Sequence, residues 1–178
     1  MSETPPIFTV GHSTRTIAEF VDLVRCGPVG MVVDVRTVPR SRRNPQYNED
    51  LLGAELSGYQ IKYLRIADLG GLRGKSAVPP ETNAFWENQS FHNYADYALS
   101  SKFDHALEEL LQLADKDRCA IMCAEAVWWR CHRRIIADHL LVRGREVFHL
   151  MGEGRVEPAK LTPGAQVQGR EITYPAVA

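Results

Sequence analysis

The sequence has no surplus of either charge and no long apolar run. Lys and Arg number 21 against 22 Asp and Glu, a net charge of −1 over 178 residues. A chain so balanced carries no global field for holding nucleic acid non-specifically, so any positive site has to be local. No stretch approaches ~18 consecutive apolar residues, which excludes a membrane-spanning helix and sets the expectation of no membrane partner. Met1 to Pro6 holds Glu3 and two prolines where a secretory leader needs a basic segment and then an apolar one. No leader is legible, and the cytoplasm is the expected location. Cysteine is sparse, at 26, 119, 123 and 131, too few for a small disulfide scaffold. Internal repeats and low-complexity segments are also missing.

What is present suits one ordinary domain. Hydrophobic residues make up 44% and charged residues 24%, close to globular averages, so disorder and coiled coil are poor readings. A chain of this length buries roughly 70% of its unfolded surface and needs no staple. Residues 7–11 form a short apolar run ending in glycine, a predicted first strand. Thr16 to Glu19 matches a capping box, and Ile17, Phe20, Val21 and Val24 follow at helical spacing up to Gly27. Strands are predicted over 30–35, 61–66, 119–124 and 145–149. Helices are predicted over 48–59, from a cap at Ser101 onward, and from about Arg130 to Arg143 before Gly144. This alternation predicts a three-layer α/β fold, Rossmann-like or flavodoxin-like, with a mostly parallel sheet flanked by helices. It occupies residues 1–152 as a single domain, and 153–178, rich in Pro, Gly and polar residues, is read as an extended C-terminal arm. Residues 67–90 form a long glycine- and proline-bearing loop of the kind that is more often functional than neutral.

In an open parallel sheet, ligands bind beyond the carboxyl ends of the strands. The ends of these predicted strands carry His12, Ser13 and Arg15; Asp34 and Arg36; Asp68; then Cys123 and Glu125; and finally His149. Trp128, Trp129, Arg130, Cys131, His132 and Arg133 follow Glu125 closely. Polar and reactive side chains therefore gather at one edge of the sheet.

Gly-His-Ser at 11–13, Asp-Val-Arg at 34–36, Pro39 with Ser41, Leu-Gly-Gly at 69–71, Cys-Ala-Glu at 123–125, Cys-His-Arg at 131–133 and His149 stand in a fixed order. Through these residues the chain resembles the domain-of-unknown-function family 488 (DUF488) over about residues 7–150. The resemblance implies an α/β domain with a site near the Cys-Ala-Glu and Cys-His-Arg residues, and it implies no reaction.

Segment 119–133 reads as strand, loop and helix start. A helix start offers unpaired N–H groups and a positive dipole end to an anion, and a cysteine placed there has its thiolate favoured. Cys123 is the candidate nucleophile, Glu125 a candidate acid or base and His12 a candidate partner. Arg36, Arg130 and Arg133 are candidate anion holders. Against this stands a plainer reading, in which Cys123 and Cys131 pack as small hydrophobes; Cys119 and Cys26 are expected to be structural. Phosphatase-like and rhodanese-like loops are distant analogies: Cys123 to Arg130 is C-x6-R where a phosphate loop needs C-x5-R, and the loop lacks glycine. Cys131 and His132 are weak metal candidates, because C-x7-C-H lacks a paired knuckle, and His132 and His139 also fit a packed helix face. No cofactor is legible. Residues 70–76 approach a phosphate-binding P-loop but miss its first glycine and run into Pro79 and Pro80, which excludes an ATPase or GTPase.

Arg36, Arg40, Arg42 and Arg43 put four cations within eight residues, and Trp128 and Trp129 could stack on bases. The leading expectation is an enzyme acting on an anionic or nucleotide-like substrate, a phosphate-bearing small molecule or nucleic acid. The alternative is a non-catalytic nucleotide- or nucleic-acid-binding module.

Overall fold

Three apolar runs of four or five residues, buried on both faces, alternate in this chain with segments that carry a single apolar stripe, and that alternation builds the centre of the sheet and its helices. The computed structural model describes residues 4–177; Met1 to Glu3, on which part of the leader reading rests, and Ala178 lie outside the described residues. In chain order the first elements are β1 (Ile7–Gly11), α1 (Ile17–Arg25), β2 (Met31–Asp34), α2 (Glu49–Ser57) and β3 (Lys62–Arg65). Then come α3 (Gln89–Tyr97), α4 (Ser101–Lys116), β4 (Cys119–Cys123), α5 (Arg133–Val142) and β5 (Val147–Gly152). The main sheet runs β3-β2-β4-β1-β5, all parallel, and β6 (Arg155–Pro158) joins β5 antiparallel at the edge. The three-layer, mostly parallel α/β expectation therefore holds.

Successive strand residues face opposite sides, and the core divides accordingly. Phe8, Val10, Val32, Ala120 and Met122 pack under α1 and α2 with Phe20, Val24, Leu52 and Leu56. Ile7, Val33, Cys119 and Ile121 pack under α4 and α5 with Leu107, Leu110, Ile135 and Ile136. Cys119 is core, as expected, and burial pushes its thiol up to about 12, with Asp117 adding to the effect. The Thr16 capping box is present in full.

Several boundaries differ from expectation. Ser100, not Ser101, caps α4: its backbone is extended, and its hydroxyl accepts from the Phe103 amide at 3.2 Å. Helix α5 begins at Arg133, not near Arg130. Trp128–Arg130 form one 3-10 turn, and the extended backbone of Cys131 interrupts helical hydrogen bonding and turns its sulfur toward β4. The stretch after Gly70 gains an unforeseen helix, α3, whose cap Asn88 accepts from the amides of Ser90 and Phe91. The C-terminal arm is partly regular. Beyond β6, a hairpin of β7 (Gln166–Gln168) and β8 (Glu171–Thr173) leads to buried Tyr174. Tyr174 Oη and the Thr162 amide both donate to buried Asp138 of α5, at 2.7 and 3.0 Å.

Strand β4 lies between β1 and β2 although it comes later in the chain. The chain leaves β1 and β2 toward α1 and α2 on one face and leaves β4 toward α5 on the other, so the loops part and a crevice opens above β4.

Candidate thiol site at the sheet edge

The crevice is a cavity of about 510 Å³. Strand β1 delivers His12 to it, β2 delivers Arg36, and β4 delivers Cys123 and Glu125, with Arg130, Cys131 and His132 following. Seven candidate site residues thus share one cavity, and Arg40, Ser41 and Gly71, also noted in the sequence, line it with them. Gly11 and Cys123 are directly opposite in the parallel β1–β4 ladder, which puts the two chain exits side by side.

Cys123 and Cys131 meet on the floor of this cavity, their sulfurs 2.7 Å apart. Both are nearly fully buried free thiols. Arg133 lies directly beneath, with no exposed surface. Its Nε donates to Cys123 Sγ at 3.1 Å, Nη1 to Thr9 Oγ1 at 2.9 Å and Nη2 to the Glu125 carbonyl at 2.8 Å. Its backbone amide points at Cys131 Sγ, 3.4 Å away. Two adjacent sulfurs cannot both ionise easily, so the pair titrates as a unit. Burial opposes a thiolate at either position. At Cys131 the hydrogen bond from Cys123 and the charge of Arg133 outweigh that cost and hold the thiol below its ordinary range. At Cys123 burial and the neighbouring sulfur push the thiol well up. One negative charge is therefore favoured, on Cys131, with Cys123 keeping the proton.

The histidines around the pair are held uncharged. His132 Nε2 donates to the Val35 carbonyl at 2.8 Å, which leaves Nδ1 as an acceptor 3.5 Å from Cys131 Sγ. Burial holds its pKa below the usual histidine value. His12 Nδ1 donates to the Ser13 carbonyl at 2.8 Å, and its Nε2 lone pair faces Arg36 Nη1 at 3.4 Å. Burial lowers His12 to about 4, and its ring stacks on Tyr47 with centroids 4.1 Å apart. Arg36 is fixed by Asp34, which receives its Nε at 2.9 Å and Nη2 at 2.7 Å and also the Tyr63 hydroxyl at 2.6 Å. Burial works against the guanidinium charge, yet Asp34 keeps the Arg36 pKa raised. The Asp-Val-Arg sequence thus works as a carboxylate that aims an arginine into the cavity. Glu125, Arg40 and Arg130 are exposed at the mouth.

Three sequence candidates lie elsewhere. Arg133 is spent on the thiols and on the loop carbonyls, so it stabilises sulfur charge from below and does not face the cavity. Trp128 stacks on His149, centroids 4.5 Å apart, and donates to Glu157 of β6 at 3.2 Å. Trp129 is 44% exposed and stands edge-on to Trp128. Neither tryptophan lines the cavity. Among the described residues no three His, Cys, Asp or Glu side chains are grouped to hold a metal ion, and no helix is long and apolar enough to cross a membrane.

Sequence reasoning missed Thr9 and underused Gly71. Thr9 alternates onto the α5 side of β1, accepts from Arg133 and donates to His149 Nδ1 at 2.6 Å; that alternation was the available signal. Gly71 lies against the His132 ring, where an added Cβ would press on Nδ1 and come within 2.7 Å of Cγ. The ring cannot yield, because Val35 and Tyr94 hold it. Gly71→Ala is therefore expected to destabilise the fold by about 1–3 kcal/mol through overpacking and to slow alkylation of Cys131. Urea unfolding and an alkylation rate both equal to wild type would refute this.

Comparison with curated proteins and with solved structures gives no match. The family model described as "Domain of unknown function DUF488" matches residues 16–140. That span runs from the α1 cap through both thiols into α5, well over half of the chain, and it establishes that this chain belongs to the DUF488 family.

Proposed function

We propose that the cavity is the active site of a thiol-dependent enzyme acting on a small anionic or nucleotide-like substrate. The observation that carries this reading is the sulfur pair, 2.7 Å apart on the cavity floor above a buried guanidinium. Burying an arginine costs several kcal/mol unless its charge is used, and here the group it faces is a thiol pair opening onto a cavity. Cys131 supplies the nucleophilic sulfur, and Cys123 shares its proton with it. Arg36, Arg40 and Arg130 present cations to the substrate's negative group. Glu125 at the mouth is the candidate acid or base, and His12 Nε2 offers an uncharged acceptor beside Arg36. This reading puts the nucleophile on Cys131 in place of Cys123, the candidate named from the sequence, because the hydrogen bond with Cys123 and the charge of Arg133 favour a thiolate there.

Two alkylating agents of similar size test this. Iodoacetate and iodoacetamide differ in charge, so a cationic cavity should favour iodoacetate by about tenfold at low salt. The preference should fall in Arg130→Ala and with added salt, and peptide mapping should place the label on Cys131. The pH–rate profile should show an apparent pKa below the free-thiol value of about 8.5. Equal rates for the two agents, or an ordinary thiol pKa, would overturn the reading. Retention of single-stranded oligonucleotides with ordinary thiols would favour the binding-module alternative instead.

A further inference from the structure

The two thiols also satisfy the needs of a different chemistry, independent of any anionic substrate. A sulfur that is oxidised reversibly needs a second thiol within bonding reach, because the first oxidation product otherwise goes on to irreversible acids. Cys123 Sγ stands 2.7 Å from Cys131 Sγ, with no residue between them. Both sulfurs open onto the cavity, so a small oxidant or a small dithiol reaches them although both residues are nearly buried. Cys26 and Cys119 lack this arrangement: Cys26 is exposed on a helix end, and Cys119 lies in the core under α4.

We propose that Cys131 and Cys123 form a peroxide-sensing dithiol, in which Cys131 is oxidised by a small hydroperoxide and Cys123 resolves the product to an intramolecular disulfide. In the first step the Cys131 thiolate attacks one peroxide oxygen. An S–O bond forms and the O–O bond breaks; sulfur is oxidised, the peroxide is reduced, and the departing hydroxide or alkoxide takes a proton from solvent. In the second step the Cys123 sulfur attacks the Cys131 sulfenic acid. The S–S bond forms, the S–O bond breaks, and the hydroxyl leaves as water with the Cys123 proton. Two exchanges with an external dithiol return both thiols and oxidise that dithiol to its own disulfide.

Arg133 suits both steps. It stabilises the starting thiolate through charge, and its Nε already contacts the sulfur that must attack next. Its ties to Thr9 and to the Glu125 carbonyl hold β1, β4 and the loop together, so the sulfurs need only a short approach to reach the bond length of about 2.05 Å. The Glu125 carbonyl also lies 3.5 Å from Cys123 Sγ and accepts its S–H hydrogen bond, which helps to hold that sulfur in place.

The proposal shares Cys131 with the enzyme reading but does not need a substrate, and its test reads mass and not turnover. Full-length protein and Cys123→Ser are each treated with a several-fold excess of hydrogen peroxide, enough for two oxidations at one sulfur, and analysed by intact mass and non-reducing peptide mapping. The expected result is the loss of two hydrogens, a peptide joining Cys123 to Cys131, and full recovery of iodoacetate labelling after dithiothreitol. In Cys123→Ser the expected product is Cys131 carrying two added oxygens, which dithiothreitol does not remove. Accumulation of that sulfinic acid in the wild type, or a disulfide involving Cys26, would overturn the proposal. If Cys123→Ser does not fold, the wild-type peptide map alone decides. A charge-independent alkylation rate combined with the expected disulfide would sink the enzyme reading and leave this one standing; the reverse combination would do the opposite.

Discussion

Replacing Arg133 with Met is expected to lower the melting temperature by about 10 °C and to remove the low-pKa thiol. Breaking a buried charged cluster by removing one partner typically costs about 3–5 kcal/mol, and for 150–250 residues each kcal/mol moves the melting point by about 2–4 °C. The loss has three parts. Cys131 loses its nearest cation, Thr9 loses a donor, and the Glu125 and Ala126 carbonyls lose Nη2. Methionine fills the space but supplies no donor, so Cys131 should revert to an ordinary or raised thiol. Arg133→Lys separates charge from geometry. Lysine restores one positive charge at one point, where arginine spans a sulfur, a hydroxyl and a carbonyl with a planar fork. Partial recovery of the thiol pKa with little recovery of the melting point is the expected outcome. Calorimetry and iodoacetamide pH–rate profiles on both variants measure it; a Met variant with wild-type values in both would show that the guanidinium matters to neither.

Acidification from pH 7 to pH 5 should remove several kcal/mol of stability without any change in covalent state. Burial holds His12 and His139 at about 4 and His149 at about 3, whereas an unfolded histidine takes up its proton near 6.5. The sign follows from proton counting. Between those values the unfolded chain binds more protons, so stability is fully present above about pH 6.5 and is lost as the pH falls toward the folded values. Each histidine accounts for on the order of 2 kcal/mol at pH 5, against a total of about 5–15 kcal/mol for a domain. Asp138 works the other way, because burial raises its pKa, but it is one group against four, since burial lowers His132 as well. The structure shows why the histidines resist charge: His149 Nδ1 already accepts from Thr9, and His139 Nε2 is buried without a partner. Urea titrations at a series of pH values, with His139→Gln as a second chain, provide the measurement. The variant should lose about a quarter of the pH dependence, and a flat wild-type profile between pH 7 and 5 would refute the account.

Sheet and edge were legible because they rest on short-range pattern. Continuous apolar runs mark β1, β2 and β4, and the rule that sites form beyond strand ends brings His12, Arg36, Cys123 and Glu125 to one place from the sequence alone. The sulfur pair was not legible. C-x7-C has no fixed geometry, and the meeting depends on an extended backbone at Cys131 that propensity does not announce. The role of Arg133 depends on Thr9, 124 residues earlier, and such a partner is found only once β1 and β4 are paired. The helix α3 was hidden by polar composition, although its cap Asn88 and the spacing of Phe91, Tyr94, Ala95 and Ala98 carried the signal.

The pairing of β1 with β4 sets Phe8 against Ala120 and Gly11 against Cys123, and this has a kinetic consequence. Joining segments so far apart costs chain entropy before any contact repays it, which makes such pairing slow. Until it happens, Cys123 and Cys131 are two unremarkable thiols on a loose chain, with nothing to distinguish them from Cys26. Their reactivity is acquired in one late event, together with the Thr9 contact that fixes Arg133. The rate at which Cys131 becomes fast-labelling during refolding should therefore match the rate at which the whole sheet closes, so that a single sulfur serves as a clock for the fold.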